Sequence, residues 1–563
     1  MHSNTRLATL VAALSTALAA CGGGSDNTPT LPAASGAALA GTCAALAGKI
    51  SFPNTTITAT NSIAAGALKV AGQDVPAHCQ VQGSMFQRVS PVDGRNYAIG
   101  FEMRLPLAWN GRFFYQANGG IDGSIGTATG PVGGGGPLNN ALNMGFAVIS
   151  SDAGHVGSLG PLFGLDPQAR LDYGYQAAQK LTPMAKNVIQ AAYGKGPDRS
   201  YFGGCSNGGR HAMVAAERMG DQYDGFLVGN PGFRLPLAAI ANMAGAQTYA
   251  SLATNPADIG TGFTQAERTL VSNTVLARCD ALDGAADGLV QDTAACQVAF
   301  NLERDVPTCT GARDGTCLSA AQKTGIAKLF SGATTSNGTR FYSSFPYDNG
   351  LGTGGWAVWK FNNSVALDPG AVGFIWQTPP EDPAGFNGRN FALTGNIDTM
   401  LARVNATNGT YTESGMSFMT PPAGAMRTLH DRGGKIMVYH GTADPIFSSD
   451  DTAAWYRALT AAWGNETSTF ARYFQVPGMN HCSGGPATDQ FDMLTPLMQW
   501  VEQGVMPQRV VATARGAGNA GGANTDLPAS WSATRTRPLC PYPQVARYRG
   551  TGSLESADSF TCQ

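Results

Sequence analysis

Along the chain, short apolar runs alternate with stretches whose apolar positions return every three to four residues. Phe146-Ala-Val-Ile-Ser150, Phe226-Leu-Val-Gly229, Ile436-Met-Val-Tyr439 and Tyr473-Phe-Gln-Val476 are nearly unbroken apolar runs. Strands buried on both faces of a parallel sheet read this way. Between them, Met184 to Tyr193, Arg210 to Met219, Thr452 to Ala462 and Phe491 to Glu502 carry helical spacing. The alternation predicts an α/β sheet with helices on both faces. From about Arg234 to Pro422 the rhythm breaks: Gly, Asn, Thr and Pro are frequent, four cysteines appear, and no strand–helix alternation is visible. This stretch reads as an insertion, placed at 231–424, between two halves of one core at 43–230 and 425–563. No repeat of fixed period is present.

Composition narrows the function classes. A chain of 563 residues with a formal charge of −2 has no basic field for nucleic acid. Charged residues make up only 13%, against roughly 25% in an average soluble domain. Hydrophobic residues at 43%, with 73 glycines, are ample for a large core. The cysteine count of 11 is odd, and the N-terminus accounts for it. Arg6 precedes an apolar run, Leu7 to Ala20, that ends in Leu18-Ala19-Ala20-Cys21. A basic start, a short apolar stretch and small residues at its end make a secretory signal over 1–21. Leu-Ala-Ala-Cys also matches the bacterial lipobox, with Cys21 as the lipidated residue; the alternative is an ordinary signal peptide. Residues 22–42, rich in Gly, Ser, Thr, Pro and Ala, read as a flexible tether. Without Cys21 ten cysteines remain, an even set suited to an oxidising compartment. The expectation is an exported monomer, either secreted or a periplasmic or outer-membrane lipoprotein that touches the membrane only through its N-terminal lipid.

Gly204-Cys205-Ser206-Asn207-Gly208 is a G-x-S-x-G motif, preceded by a strand-like approach and followed by a good helix. That context exposes a serine on a sharp turn, with the Asn207 N–H and the helix N-terminus aimed at an oxyanion. An acid and then a histidine should follow later strands. Asp444 lies directly after the run Ile436 to Tyr439, and His481 follows the run Tyr473 to Val476. His440 precedes the acid and so breaks the order. The reading is a triad: Ser206 as nucleophile, His481 as base, Asp444 orienting the imidazole. Cys205 and Cys482 each adjoin a triad member, so a Ser206–His481 contact would bring them within bonding reach. The second oxyanion donor should come from the loop after Arg112-Phe-Phe-Tyr-Gln116, and it stays open between Asn118 and Gly119. In the insertion, Asp280, Asp283 and Asp287 fall within eight residues, with two glycines that allow the carbonyls of Ala285 and Leu289 to turn inward. Oxygen ligands at this density suit Ca²⁺; a solvated Asp-Gly turn explains the residues equally well.

Gly204-Cys-Ser-Asn-Gly-Gly209, His440-Gly-Thr-Ala-Asp444, Pro477-Gly-Met-Asn-His-Cys482, Phe163-Gly-Leu-Asp-Pro-Gln-Ala-Arg170 and Arg537-Pro-Leu-Cys-Pro-Tyr-Pro543 together resemble the tannase and feruloyl esterase family, from about Cys43 to Cys562. Its bacterial branch that splits terephthalate half-esters is the most similar. The resemblance implies an α/β-hydrolase core with a large lid between nucleophile and acid. It also implies a structural calcium on Asp280, Asp283, Asp287 and the two carbonyls, and disulfides Cys43–Cys79, Cys279–Cys296, Cys309–Cys317 and Cys540–Cys562. The expected activity is hydrolysis of small aromatic esters. Trp356, Trp359, Phe374 and Trp376 are expected to wall the substrate, within a lid segment that is dense in aromatic rings. The half-ester branch holds its substrate's carboxylate with a lid arginine, and no arginine lies between Lys360 and Arg389 here. Phenolic and simple aromatic esters are therefore equally plausible substrates. A non-catalytic surface binding protein and a serine peptidase are the competing readings; the complete triad speaks against the first.

Overall fold

The computed structural model describes residues 32–136, 138–422 and 424–563; the signal segment and Cys21 lie outside the described residues. Nine strands form one sheet: β1 (Thr55–Ile63), β2 (His78–Val89), β3 (Asn96–Pro106), β4 (Arg112–Gln116), β5 (Ala147–Ser151), β6 (Arg199–Cys205), β7 (Gly225–Gly229), β8 (Lys435–Gly441) and β9 (Ala471–Val476). Their spatial order is β9-β8-β7-β6-β4-β5-β3-β2-β1. Neighbours from β5 to β9 run parallel, while β1, β2, β3 and β5 pair antiparallel. This is an α/β-hydrolase core.

Burial explains which strands are legible as apolar runs. Every residue of β5, β7 and β8 is buried, because helices cover both faces of the parallel half. On β4, Phe113 and Tyr115 join the core beneath helices α1 (Ala177–Tyr193) and α2 (Asn207–Arg218). Phe114 between them points to the opposite core. The antiparallel β2 instead alternates buried and partly exposed positions, a weaker signal that the apolar-run criterion passes over.

Between β7 and β8 every named element among the described residues is helical. The two longest are α3 (Leu235–Leu252) and α4 (Gln265–Cys279). Helix α3 is apolar around its whole circumference, so no periodic stripe marks it. This lid has cores of its own, one around Ile240, Val372 and Phe418, another around Tyr249, Phe263 and Trp356. The buried Arg170 ties lid to core: its guanidinium donates to the carbonyls of Gly164 (2.6 Å), Phe374 (2.8 Å) and Gln377 (3.1 Å) and lies over the Tyr411 ring. Two more helices, α5 (Ser449–Trp463) and α6 (Leu494–Gln503), complete the core's second half.

All five expected disulfides are formed: Cys43–Cys79, Cys205–Cys482, Cys279–Cys296, Cys309–Cys317 and Cys540–Cys562. The tether expected over 22–42 needs correction in its described part. Ala37 and Ala38 pair antiparallel with Trp109 and Ala108, and Ala40 N–H donates to the Ala192 carbonyl at 2.8 Å. Small residues suit a tether, but here they let the backbone lie flat against the core. Among the described residues no helix is long and apolar enough to cross a membrane.

Candidate active site

Strand β6 ends at Cys205 and α2 begins at Asn207, which leaves Ser206 alone in the turn with φ 66° and ψ −128°. A serine adopts such a backbone only where its surroundings enforce it. They do so by close approach: a Cβ on Gly204 would sit 2.4 Å from the Ala117 carbonyl oxygen, and one on Gly208 would sit 2.5 Å from the same atom. Only glycines at both positions let the 117–120 loop lie against the elbow.

His481 bridges the serine and the acid. Its Nε2 lies 2.8 Å from Ser206 Oγ and its Nδ1 lies 2.7 Å from Asp444 Oδ2. Asp444 is buried and fully engaged. Oδ1 accepts the N–H groups of Ile446 (2.9 Å) and Phe447 (3.1 Å), and Oδ2 also accepts the Asn230 amide at 2.7 Å. Burial alone would raise this carboxyl; the adjacent His481 charge and hydrogen bonds from His440 and His481 outweigh it and hold Asp444 well below the usual carboxylate range. His440, the competing histidine, is fully buried, with Nδ1 on Thr452 Oγ1 at 2.8 Å and Nε2 facing the Phe447 carbonyl at 3.0 Å. It braces the acid from behind and has no path to the serine's hydrogen. Trp359 and Phe447 meet the His481 ring edge-on, at centroid distances of 4.9 and 5.2 Å. The arrangement can move the serine's proton to the imidazole while the acid fixes the tautomer.

The loop expected to supply the second oxyanion donor is held by its side chains. The Asn118 amide donates to Ser150 Oγ (3.0 Å) and the Ser151 carbonyl (2.8 Å), so this side chain anchors the loop. Gly119 is the residue at the elbow, where an added Cβ would stand 3.7 Å from Ser206 Cβ. Asp122 then locks the loop to α2, accepting from Asn207 Nδ2 and from His211 Nε2, both at 2.8 Å. Burial pushes the Asp122 carboxyl up to about 7, against the pull of His155, Arg210 and the Asn207 amide.

Ser206 and Asn207 open onto a cleft with an empty volume of about 360 Å³, part of it continuous with solvent and walled by Tyr173, Leu235, Trp359, Trp376 and Phe447. Of the four expected substrate-wall rings, Trp359 and Trp376 are in place. Trp356 is not: it packs edge-on against Phe263 and Phe361 in the lid core. Phe374 is not either, being edge-on to Phe386 on the far side. Trp356 and Trp359 are three residues apart and Phe374 and Trp376 two apart, yet only one ring of each pair lines the cleft, which aromatic density alone does not reveal.

A family model described as "Tannase and feruloyl esterase" matches residues 79–563. The chain belongs to the tannase and feruloyl esterase family. It is 40% identical over 530 residues to the mono(2-hydroxyethyl) terephthalate hydrolase of Piscinibacter sakaiensis, covering 87% of this chain and 85% of that protein. It is 28% identical to feruloyl esterase B of Aspergillus niger, over 94% of this chain and 98% of that one. The crystal structure of feruloyl esterase B from Aspergillus oryzae has the same fold, with a TM-score of 0.73 at 24% identity, covering 92% of this chain and 99% of that one. The protein is a carboxylic ester hydrolase.

The aspartate loop of this esterase bears on the calcium expected from the sequence. Asp280 Oδ1 accepts the N–H groups of Asp287 (2.9 Å), Gly288 (3.0 Å) and Leu289 (3.3 Å), so the loop wraps around that carboxylate. Asp283 Oδ2 and Asp287 Oδ1 are buried without a hydrogen-bond partner, while Arg537 pairs with the other Asp287 oxygen. Burial, with Asp287 and Asp280 nearby, pushes the Asp283 carboxyl up to about 7 against the Ala285 amide. Two orphaned carboxylate oxygens on one loop fit a hard cation. Among the described residues no three His, Cys, Asp or Glu side chains close around one metal position, and the Asp280 carboxylate is engaged by backbone amides.

Proposed function

We propose that the protein is an exported serine esterase that hydrolyses aromatic carboxylic esters of the feruloyl, galloyl or terephthalate half-ester kind. The observation that carries this reading is His481 bridging Ser206 and Asp444 at 2.8 and 2.7 Å beside a cleft with two indole walls. The names of the relatives, a terephthalate half-ester hydrolase and feruloyl esterases, support the substrate class.

Ser206 Oγ attacks the ester carbonyl carbon as its proton passes to His481 Nε2. The oxyanion that forms takes hydrogen bonds from the backbone N–H groups of Asn207 and Gly119, at the positive end of α2. Asp444 stabilises the imidazolium from Nδ1 without taking its proton. The imidazolium protonates the departing alkoxide, which leaves as the alcohol with the tetrahedral intermediate's C–O bond broken. Water, losing a proton to His481, then attacks the acyl carbon; the C–Oγ bond breaks, His481 returns the proton to Ser206 Oγ, and the aromatic acid is released.

Export is supported by the N-terminal signal pattern and the five disulfides, and the lipobox makes Cys21 the anchoring residue. A structural Ca²⁺ held by Asp280, Asp283, Asp287 and the carbonyls of Ala285 and Leu289 would neutralise the orphaned oxygens and brace the lid. Hydrolysis of p-nitrophenyl esters by the wild type and by Ser206→Ala tests the reading. The variant should keep its melting temperature and lose about 10³-fold or more in kcat. Undiminished turnover would overturn the proposal, and a wild type inactive on every aromatic ester would favour a non-catalytic binder.

A further inference from the structure

The lid reaches the triad's supporting loops through one short strap, residues 348–353. Asp348 in this strap is fully buried. Its Oδ1 accepts the Gly350 N–H at 2.9 Å, which closes the strap's own turn. Its Oδ2 crosses to the core and accepts the Thr442 hydroxyl at 2.6 Å. Thr442 Oγ1 in turn accepts the Gly478 N–H at 2.9 Å. A hydroxyl has one hydrogen to give, so Asp348 takes it and leaves a lone pair for Gly478. Thr442 stands two residues before Asp444, and Gly478 three before His481. The relay therefore joins the acid loop to the histidine loop under a lid carboxyl.

The strap holds the histidine loop a second time. The Asn480 amide donates to Thr353 Oγ1 at 2.6 Å, while the Asn480 carbonyl accepts the Asn230 amide at 3.3 Å. The residue before His481 is thus fixed by the lid through its side chain and by the core through its main chain. Between these contacts the strap lies directly on the acid loop: a Cβ on Gly350 would sit 2.4 Å from Ala443 Cβ. The strap is itself anchored, since the Ser272 hydroxyl of α4 donates to the Asn349 carbonyl. Burial pushes the Asp348 carboxyl up, and hydrogen bonds from Thr442, Gly350 and Gly478 pull it down. No cation is among these partners, and a buried carboxyl without one is costly to keep for packing alone.

We propose that Asp348 and Thr353 are positioning residues, through which the lid sets the Asp444 and His481 loops at the spacing that activates Ser206. On the serine-esterase reading above, on which this rests, the lid is part of the proton-transfer apparatus as well as a wall of the cleft. Small displacements suffice, since a misplacement of about 1 Å can cost on the order of 10²-fold in rate.

The test compares Asp348→Ala, Thr353→Val, Thr442→Val and Thr442→Ser with the wild type. Two rates are measured: hydrolysis of p-nitrophenyl acetate, and modification of Ser206 by phenylmethanesulfonyl fluoride. Asp348→Ala and Thr442→Val should each lose about tenfold or more in kcat with KM within about twofold of the wild type, and modification should slow in step. Thr442→Ser keeps the relay hydroxyl and should recover most of the rate. The double variant Asp348→Ala/Thr442→Val should lose less than the product of the two single losses, because both remove one hydrogen bond. Thr353→Val carries the test if Asp348→Ala does not fold. Folded strap variants that keep the wild-type kcat, or a Thr442→Ser as slow as Thr442→Val, would overturn the proposal and leave the esterase reading intact. A wild type inert to both reagents would overturn the esterase reading, and the role of the strap with it.

Discussion

Asn230 donates its side-chain amide to Asp444 Oδ2 over 2.7 Å, the same oxygen that accepts from His481 Nδ1. The residue stands immediately after β7, with a positive φ of 37° and no solvent exposure, and its own N–H is held by the Tyr439 carbonyl at 2.8 Å. Asn230→Ala removes one of the donors that fix the acid's orientation. The loss corresponds to about 1–2 kcal/mol, read as a fall in kcat of about fivefold to thirtyfold with KM little changed. Steady-state kinetics on a p-nitrophenyl ester measures it, and an unaltered kcat would remove Asn230 from the machinery.

The Cys205–Cys482 bridge closes a loop of 277 residues. Loop-closure entropy for so long a span amounts to about 5 kcal/mol as an upper bound. The double variant Cys205→Ala/Cys482→Ala should unfold at lower denaturant concentration and also lose kcat, because His481 is then held only by its hydrogen bonds and flanking rings. Urea titration and kinetics on the same preparation separate the two effects. A variant less stable but equally fast would show that the bridge serves the fold alone.

Arg170 offers a stability test away from the chemistry. Replacing it with alanine strands three buried carbonyls, of Gly164, Phe374 and Gln377, and should cost about 3–5 kcal/mol. Arg170→Lys should recover only a fraction, since an ammonium cannot reproduce the planar fork. Chemical denaturation of both variants checks the order wild type, lysine, alanine.

Chelation tests the calcium loop. Treatment with EDTA should lower the melting temperature, Ca²⁺ but not Mg²⁺ should restore it, and metal analysis of the untreated protein should return about one calcium per chain. Asp283→Asn should lower both the calcium content and the gain in melting temperature on Ca²⁺ addition. A calcium-free protein with an unchanged melting temperature would exclude the site.

The core and the triad were legible because each triad residue follows an apolar run that burial on two faces imposes. Ser206, Asp444 and His481 follow β6, β8 and β9, and local sequence carries both the strand and the residue after it. Asn230 had no such mark: its partner is 214 positions away, and one asparagine after a strand has no sequence signature. Phe447 and Asp122 share that position, acting through neighbours that only the fold assembles. A signal existed for His211, four residues after Asn207 and so on the same helix face, but it does not disclose the Asp122 contact. The lid helices escaped for the opposite reason. Leu235 to Leu252 carries apolar or small residues on its less buried side too, such as Leu237 and Ala244, so the contrast between faces that reveals a helix is missing. Trp356 and Trp359 differ by less than one helical turn, and which of them meets His481 depends on how the segment is rolled against α3 and α4.

The bridge beside the elbow also links the site to the redox state around the chain. With Cys205 and Cys482 reduced, His481 would be held only by its hydrogen bonds and flanking rings; with the bridge formed, the histidine loop is fastened to the nucleophile turn. On the export proposed above, that fastening would follow translocation into an oxidising compartment.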